Sequence, residues 1–260
     1  MKVWVILPAF NEAENLPALL DGLAAVLRLQ PAPYGIVLVD DGSGDATRAT
    51  AETYATRLPV EVVVHEQNLG LARTVQTGIR HVLRRARDDD IIVTMDADNT
   101  HPPELVESML EAIRRGADIV IASRYAQGGG EVGVPSLRRV LSYGIGTLMR
   151  LRFGLRGVRD YSSGYRAYRA HLLRAALDRY GAGLVEARGF AVMAELLVKL
   201  QAFDPRIVEI PLELRYDRKR GASKLRILST ISDYVMLLVA PHPRTQQTRR
   251  DSRVGTRGSE

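Results

Sequence analysis

The chain contains no cysteine among its 260 residues, so disulfides, thiolate metal ligands and thiol nucleophiles are excluded at the outset. That absence fits a reducing compartment. Long apolar runs are missing as well. The longest candidate, residues 231–240, is interrupted by Ser232 and Asp233 and falls short of the ~20 apolar residues that span a bilayer. Residues 1–8 are a short apolar run that passes directly into polar sequence, without a basic leader and a cleavable apolar core. No signal peptide is predicted, and the chain is expected to stay cytoplasmic. No internal repeat is present. Exposed aromatics interleaved with basic residues are also lacking, as is a recognition-helix pattern, which argues against a nucleic-acid-binding module.

What is there describes an ordinary globular protein. The hydrophobic fraction is 46% and the charged fraction 25%, enough chain and apolar content for one large α/β domain without staples. The formal net charge is +6 and the sequence pI about 9.7. A basic balance suits an anionic partner, whether nucleic acid, lipid headgroup or phosphorylated substrate, and does not choose among them.

The first half alternates strand and helix signals with little slack. Apolar runs at 3–7, 36–39, 60–65, 91–95 and 119–122 read as buried strands, with helices between them to about residues 29, 56, 85 and 115. Asn11 with Glu14 reads as a capping box opening the first helix. Such a succession predicts a mostly parallel sheet with helices on both faces, and ligands beyond the carboxyl ends of its strands. After Ser123 the regularity fades. Gly128-Gly129-Gly130 marks a loop, and a helical, arginine-studded stretch covers 136–153. Residues 160–166 read as a polar, glycine-containing segment, 189–202 as a helix and 207–214 as a strand. A basic run at 218–224 precedes an amphipathic segment at 225–239.

Polar clusters close three of the early strands. Asp96-Ala97-Asp98 puts two carboxylates one residue apart at a strand end, a donor pair suited to a hard divalent cation bridging to a diphosphate, although a solvated acidic turn looks the same in isolation. Asp40-Asp41-Gly42-Ser43 can offer a carboxylate to a base or ribose, or can simply be a turn and helix cap. Pro8-Ala9-Phe10-Asn11-Glu12 can place Phe10 against a nucleobase and Glu12 on a ribose or base, or serve as capping and core. What favours function is the set: three clusters after three successive strands. His101 reads as a loop residue ahead of the Pro102-Pro103 helix start.

The segments LPAFNEAENLP, VDDGSGDAT, NLGLARTVQTGI, MDADNTHPPE, SRYAQGGG, DYSSGYRAY and RKRGASKL together resemble family 2 glycosyltransferases. Within that family they resemble the dolichol-phosphate mannose synthase and polyprenyl-phosphate glycosyltransferase branch. The resemblance runs from about residue 2 to residue 225. It implies an α/β GT-A (Rossmann-like) fold: a mostly parallel sheet flanked by helices, in a single domain with a C-terminal amphipathic segment. The expected layout is a catalytic domain at 1–224, an amphipathic, membrane-associating segment at 225–241 and a disordered basic tail at 242–260.

The implied roles follow the matched motifs. Pro8, Phe10, Glu12 and Asp41 would bind the nucleoside. Asp96 and Asp98 would hold Mg²⁺ or Mn²⁺ and the diphosphate, with Thr100 where relatives carry a further ligand. Arg124, Arg138, Arg139, Arg218 and Lys224 would hold donor diphosphate or acceptor phosphate. Asp160 and Arg166 would fall on the acceptor side. The implied reaction is inverting transfer of a hexose from GDP-mannose or a UDP-hexose to a polyprenyl phosphate. A phosphate oxygen is already nucleophilic, so the chemistry asks mainly for charge neutralisation. A family 2 enzyme with a soluble or saccharide acceptor is the alternative; it would need a deprotonating carboxylate, for which Asp160 is the candidate. A lipid acceptor further implies peripheral contact at the cytoplasmic membrane face, or a membrane-protein partner. The arginines 138, 139, 150, 152, 156 and 159, interleaved with Leu141, Ile145 and Leu148, form a basic amphipathic surface suited to an anionic membrane, or a core stripe with a charged edge.

Overall fold

The earliest strands are apolar along nearly their whole length, the composition of strands covered on both faces. In the structure, a computed structural model that describes residues 1–187, 189, 191–221 and 227–239, this is how they sit. Lys224, the start of the amphipathic segment at residue 225 and the expected tail at 242–260 lie outside the described residues.

The chain runs β1 (Val3–Ala9), α1 (Leu16–Arg28), β2 (Tyr34–Asp40), α2 (Thr47–Ala55), β3 (Val60–Val64), α3 (Leu71–Leu83), β4 (Ile91–Thr94), α4 (Leu105–Arg114) and β5 (Ile119–Ser123). It continues through β6 (Gly130–Val132), α5 (Ser136–Phe153), β7 (Arg166–Arg169), α6 (Ala170–Tyr180), α7 (Ala191–Leu200), β8 (Ile207–Pro211), β9 (Glu213–Arg215) and α8 (Ile227–Val239). Seven strands form one sheet in the order β3-β2-β1-β4-β7-β5-β8, and β6 pairs with β9 in a small second sheet. In the large sheet β7 runs antiparallel to both neighbours and the other pairings are parallel.

Two hydrophobic layers cover the sheet. On one face Leu16, Leu20 and Leu23 of α1 and Val106, Leu110 and Ile113 of α4 pack on Val3, Val5 and Val93. On the other, Val75, Ile79 and Val82 of α3, Leu173 of α6 and Val192 and Leu196 of α7 pack on Ile6, Val37 and Ile92. The mostly parallel sheet flanked by helices is therefore as expected.

Four local readings change. First, α1 begins at Leu16, not at Asn11. Asn11 takes a left-handed φ of 52° and joins the loops after β1 and β2: its N–H donates to Ser43 Oγ (2.9 Å) and its Oδ1 accepts from the Gly44 N–H (2.8 Å). Second, no strand is legible at Arg166–Arg169, yet β7 sits centrally, with Ala167 and Tyr168 fully buried. Arg166 is tolerated there because its guanidinium donates to the carbonyls of Met193 (2.5 Å) and Tyr161 (2.7 Å). Third, 207–214 divides into β8, in the large sheet, and β9, in the small one. Fourth, the helix read at 189–202 is the shorter α7 followed by a turn at Gln201–Phe203, and α6 had no sequence reading.

Gly78 is required by close approach. A Cβ there would lie 2.4 Å from Ile6 Cγ2, a fully buried branched side chain with no room to give. α3 opens on the cleft described below, so its seating on β1 also sets the cleft wall. Gly78→Ala is expected to destabilise the protein by about 1–3 kcal/mol, the usual cost of overpacking, read by urea unfolding.

Candidate active site

A cleft of about 940 Å³ opens above the carboxyl ends of β1, β2, β4 and β5, where the strand-end clusters converge. Its walls come from the N-terminus of α3, from α5 and α8, and from the 212–219 segment.

At one end lie Pro8, Phe10, Glu12 and Asp41. Glu12 is buried and accepts from Asn15 Nδ2 at 2.7 Å, while its own N–H donates to Thr47 Oγ1 at 2.7 Å. Asp41 is also buried. It accepts from the backbone N–H groups of Leu69 (2.9 Å) and Gly70 (2.8 Å) and faces His65 Nδ1 at 2.7 Å, whose Nε2 meets Thr77 Oγ1 at 3.0 Å. The carboxylate is thus fixed against the start of α3, where partial positive charge accumulates. Gly42 permits the close turn: its φ is +69°, and a Cβ would come within 2.5 Å of the Gln67 carbonyl carbon.

The floor is the acidic turn after β4. Thr100 donates through Oγ1 (2.6 Å) and N–H (3.2 Å) to Asp98 Oδ1, leaving Oδ2 to meet Lys219 Nζ at 2.6 Å. His101 lies in the loop ahead of α4, as read from the sequence, and is buried there, stacking on Tyr165 with ring centroids 5.0 Å apart. Its Nδ1 accepts the Asp96 N–H at 3.1 Å, and its Nε2 stands 3.9 Å from Asp96 Oδ2. The two carboxyls titrate apart. Withdrawal from water, then the nearby Asp98 and Glu12 carboxylates, push Asp96 up against the pull of His101 and Lys219. For Asp98 burial acts the same way, but Lys219, His101 and Thr100 outweigh it and hold the group below its ordinary value. Two carboxylates on a cleft floor suit Mg²⁺ or Mn²⁺, which take one or two protein carboxylates and fill their shell from phosphates and water. No cluster of three His, Asp or Glu that could hold a metal ion occurs among the described residues, so the remaining ligands would have to come from elsewhere.

The opposite wall is basic and is built on Arg124, at the end of β5. Its Nε and Nη2 grip Asp160 in a fork at 2.8 and 2.9 Å, and Nη1 donates to Glu131 Oε1 at 3.0 Å. Asp160 is fully buried. It also accepts from Ser162 and Ser163 N–H groups at 3.1 and 3.0 Å. Burial opposes its charge, yet Arg124 and these donors win and hold the carboxyl down at about 2, while Arg124 is pushed up. Arg138 lines the cleft beside Glu131, its Nη1 donating to Tyr216 Oη at 2.9 Å.

Most of the assigned side chains therefore meet in one cleft: Pro8, Phe10, Glu12, Asp41, Asp96, Asp98, Thr100, Arg124 and Arg138. Asp160, Arg139 and Arg218 do not line it. Asp160 lies behind Arg124 with its oxygens consumed, which makes it a positioning group and unsuited to deprotonate an acceptor. Arg139 projects outward from α5, and Arg218 is exposed on the turn before Lys219. Lys219, Glu131 and Tyr234 line the cleft without having been singled out. A motif with three adjacent basic residues gives no sign of which one turns inward, and Glu131 carries no signal beyond its place after the glycine loop.

The architecture is the GT-A fold of nucleotide-sugar-dependent glycosyltransferases. Glucosyl-3-phosphoglycerate synthase from Mycobacterium tuberculosis, solved with phosphoglyceric acid, is 21% identical and superposes with a TM-score of 0.65 over 93% of this chain and 81% of that one. The same enzyme solved with Mg²⁺ and uridine diphosphate gives 20% identity and a TM-score of 0.65, over 93% and 81% of the two chains. Residues 4–177 match the profile of glycosyl transferase family 2, and the chain belongs to that family. Among curated relatives, a dolichol-phosphate mannosyltransferase from Pyrococcus furiosus is 34% identical over 90% of this chain, which spans 62% of that protein's length. An undecaprenyl-phosphate mannosyltransferase from Micrococcus luteus is 36% identical over 86% of this chain and 88% of its own. A polyprenol monophosphomannose synthase from Mycolicibacterium smegmatis is 35% identical over 86% and 81%.

The Asp160 carboxyl, depressed from 3.8 to about 2, contributes stability that is complete above pH 4 and is lost as pH falls through 2. Its size is roughly 2 kcal/mol from the shift. Asp160→Asn is expected to flatten the acid limb of the stability profile between pH 4 and 2. At pH 7 it should destabilise by about 3 kcal/mol, because the buried Arg124 loses the fork to Asp160 and keeps only Glu131 as an anionic partner; chemical denaturation across pH reads both.

Proposed function

We propose that this chain transfers a hexose of the mannose type from a nucleotide diphosphate sugar, GDP-mannose or a UDP-hexose, to a polyprenyl phosphate. The observation that carries the reading is the cleft's division: an end lined by Pro8, Phe10, Glu12 and Asp41, an acidic floor, a basic wall and an apolar stretch of lining. That stretch comes from Leu141 and Ile145 of α5 and from Ile231 and Tyr234 of α8. On the same two helices Val140, Tyr143, Leu148, Leu151, Val235, Met236 and Val239 are exposed. The names of the mannosyltransferase relatives support the donor sugar and the lipid acceptor.

Pro8, Phe10, Glu12 and Asp41 would bind the nucleoside. Asp96 and Asp98 would hold Mg²⁺ or Mn²⁺, which would supply neutralising charge to the departing diphosphate. Lys219 already reaches Asp98 and would take the adjacent diphosphate oxygen. Arg124, with Arg138 beside it, would hold the acceptor phosphate. An acceptor oxygen would attack the anomeric carbon in line, the bond from that carbon to the diphosphate oxygen would break, and the nucleoside diphosphate would leave with inversion. No proton need be removed from a phosphate oxygen, which agrees with the consumption of Asp160 by Arg124. The saccharide-acceptor alternative loses its candidate base for the same reason.

No helix among the described residues is long and apolar enough to cross a membrane. The exposed apolar faces of α5 and α8, with Arg150 and Arg152 at the end of α5, would instead lie on an anionic bilayer surface at the cytoplasmic face, alone or against a membrane-protein partner.

The test is transfer of labelled sugar from a panel of GDP- and UDP-sugars into organic-extractable lipid, using a short polyprenyl phosphate in detergent. Transfer is expected to require Mn²⁺ or Mg²⁺ and to fall at least about 100-fold in Asp98→Ala. Transfer into a water-soluble saccharide in place of the lipid would overturn the acceptor assignment. Separately, Leu151→Glu with Met236→Glu is expected to reduce co-sedimentation with phosphatidylglycerol vesicles several-fold while leaving nucleotide binding intact.

A further inference from the structure

A guanidinium has five N–H bonds, and those of Arg124 are all taken. Nε donates to Asp160 Oδ2, Nη2 to Asp160 Oδ1 and Ser162 Oγ (2.5 Å), and Nη1 to Glu131 Oε1 and Ser142 Oγ (3.4 Å). A phosphate oxygen arriving at Arg124 therefore has to replace one of these partners.

The partners differ in how firmly they are held. Asp160 has no exposed surface and several donors besides Arg124, so its fork is fixed. Glu131 rests on Arg124 by one hydrogen bond. Its side chain is only 6% exposed, and its Oε2 is buried with no hydrogen-bond partner. The nearby Arg139 Nε is 3.6 Å from Oε2, beyond hydrogen-bond range, on a side chain that is 55% exposed and otherwise held only by a long Nη2 bond to the Val134 carbonyl (3.4 Å). Asp160 and Glu131 together outweigh the single charge of Arg124, so within this basic wall Arg124 itself offers an incoming anion no net positive charge while Glu131 stays in place.

We propose that Glu131 is a displaceable counter-anion of Arg124. It holds the Nη1 edge against neutral hydroxyls and yields that edge to a phosphate monoester, turning onto Arg139 as it leaves. A neutral alcohol or water offers too little charge to displace a carboxylate, whereas a phosphate monoester carries about −1.5 to −2 at pH 7. Glu131 thereby makes the wall selective for a phosphorylated acceptor. It acts through Arg124 and is a positioning residue for it. The inference rests on the acceptor phosphate binding at Arg124.

The test uses Glu131→Gln, which keeps shape and removes charge, Arg139→Gln, and the double variant, all in the full chain. In Glu131→Gln the KM for polyprenyl phosphate is expected to fall about tenfold with the donor KM unchanged, the scale of one removed like-charge contact. Arg139→Gln is expected to raise the acceptor KM in the native background and to change nothing in the Glu131→Gln background. An acceptor KM that is unchanged or higher in Glu131→Gln overturns the proposal, as does an Arg139→Gln effect of equal size in both backgrounds. Calorimetric titration with inorganic phosphate separates this from the lipid reading. If wild type transfers nothing to polyprenyl phosphate, phosphate binding about tenfold tighter in Glu131→Gln still sustains the counter-anion role toward another phosphorylated acceptor. Equal phosphate binding in the two proteins removes it.

Discussion

The fork between Arg124 and Asp160 is the contact on which the cleft depends. It joins the end of β5 to the turn that leads into β7, and through Glu131 it reaches β6. A buried ion pair is a poor source of stability in itself, because desolvating two charges offsets most of their attraction. Here the remaining lone pairs are filled by Ser162 and Ser163, and the result is orientation: a guanidinium held rigidly at the edge of a polar cleft. The same logic recurs on the floor, where Thr100, Lys219 and His101 fix the two aspartates, and at the nucleoside end, where His65 and the start of α3 fix Asp41. The charged groups are set in place before any ligand arrives, as electrostatic catalysis requires.

Such a site needs a scaffold whose loops cannot drift. The parallel strands deliver it by ending together, and the loops after β1 and β2 are laced to one another through Asn11, Ser43, Gly44 and Thr47. On the other side the 216–221 segment is clasped by Asn15, whose Nδ2 donates to the Arg220 carbonyl at 3.1 Å while its Oδ1 accepts the Arg220 N–H at 2.9 Å. Residues 205 positions apart in sequence thus share the rim of one cleft.

The first half of this arrangement was legible because its signals are local. Buried parallel strands are short apolar runs, and a carboxylate pair directly after one of them stands where ligands bind. The rest depends on partners distant in sequence. Arg166 in RAYR reads as polar surface until the Met193 and Tyr161 carbonyls are known to receive it. Asp160 reads as a free base until Arg124 is placed against it. Among Arg218, Lys219 and Arg220, only the short helical turn at Tyr216–Arg218 decides which side chain points at Asp98. Asn11 looks like a cap because its neighbours at Ser43 and Gly44 are more than thirty residues away.

The central antiparallel strand has a consequence for the order in which the molecule assembles. β4 and β5 do not touch; both pair with β7, which lies 43 residues beyond β5 in the chain if counted from Ser123 to Arg166. During synthesis β1, β2, β3 and β4 can zip together as soon as they leave the ribosome, but that nascent sheet keeps β4 as an open edge. β5 has no place to dock until RAYR emerges and bridges the gap. Because Thr94 Oγ1 bonds the Gly164 carbonyl and Tyr165 stacks on His101, that late bridging strand also seats the acidic turn. A four-residue strand thus sets the register between the two halves of the cleft, and only β8, at the far edge of β5, is added to the sheet after it.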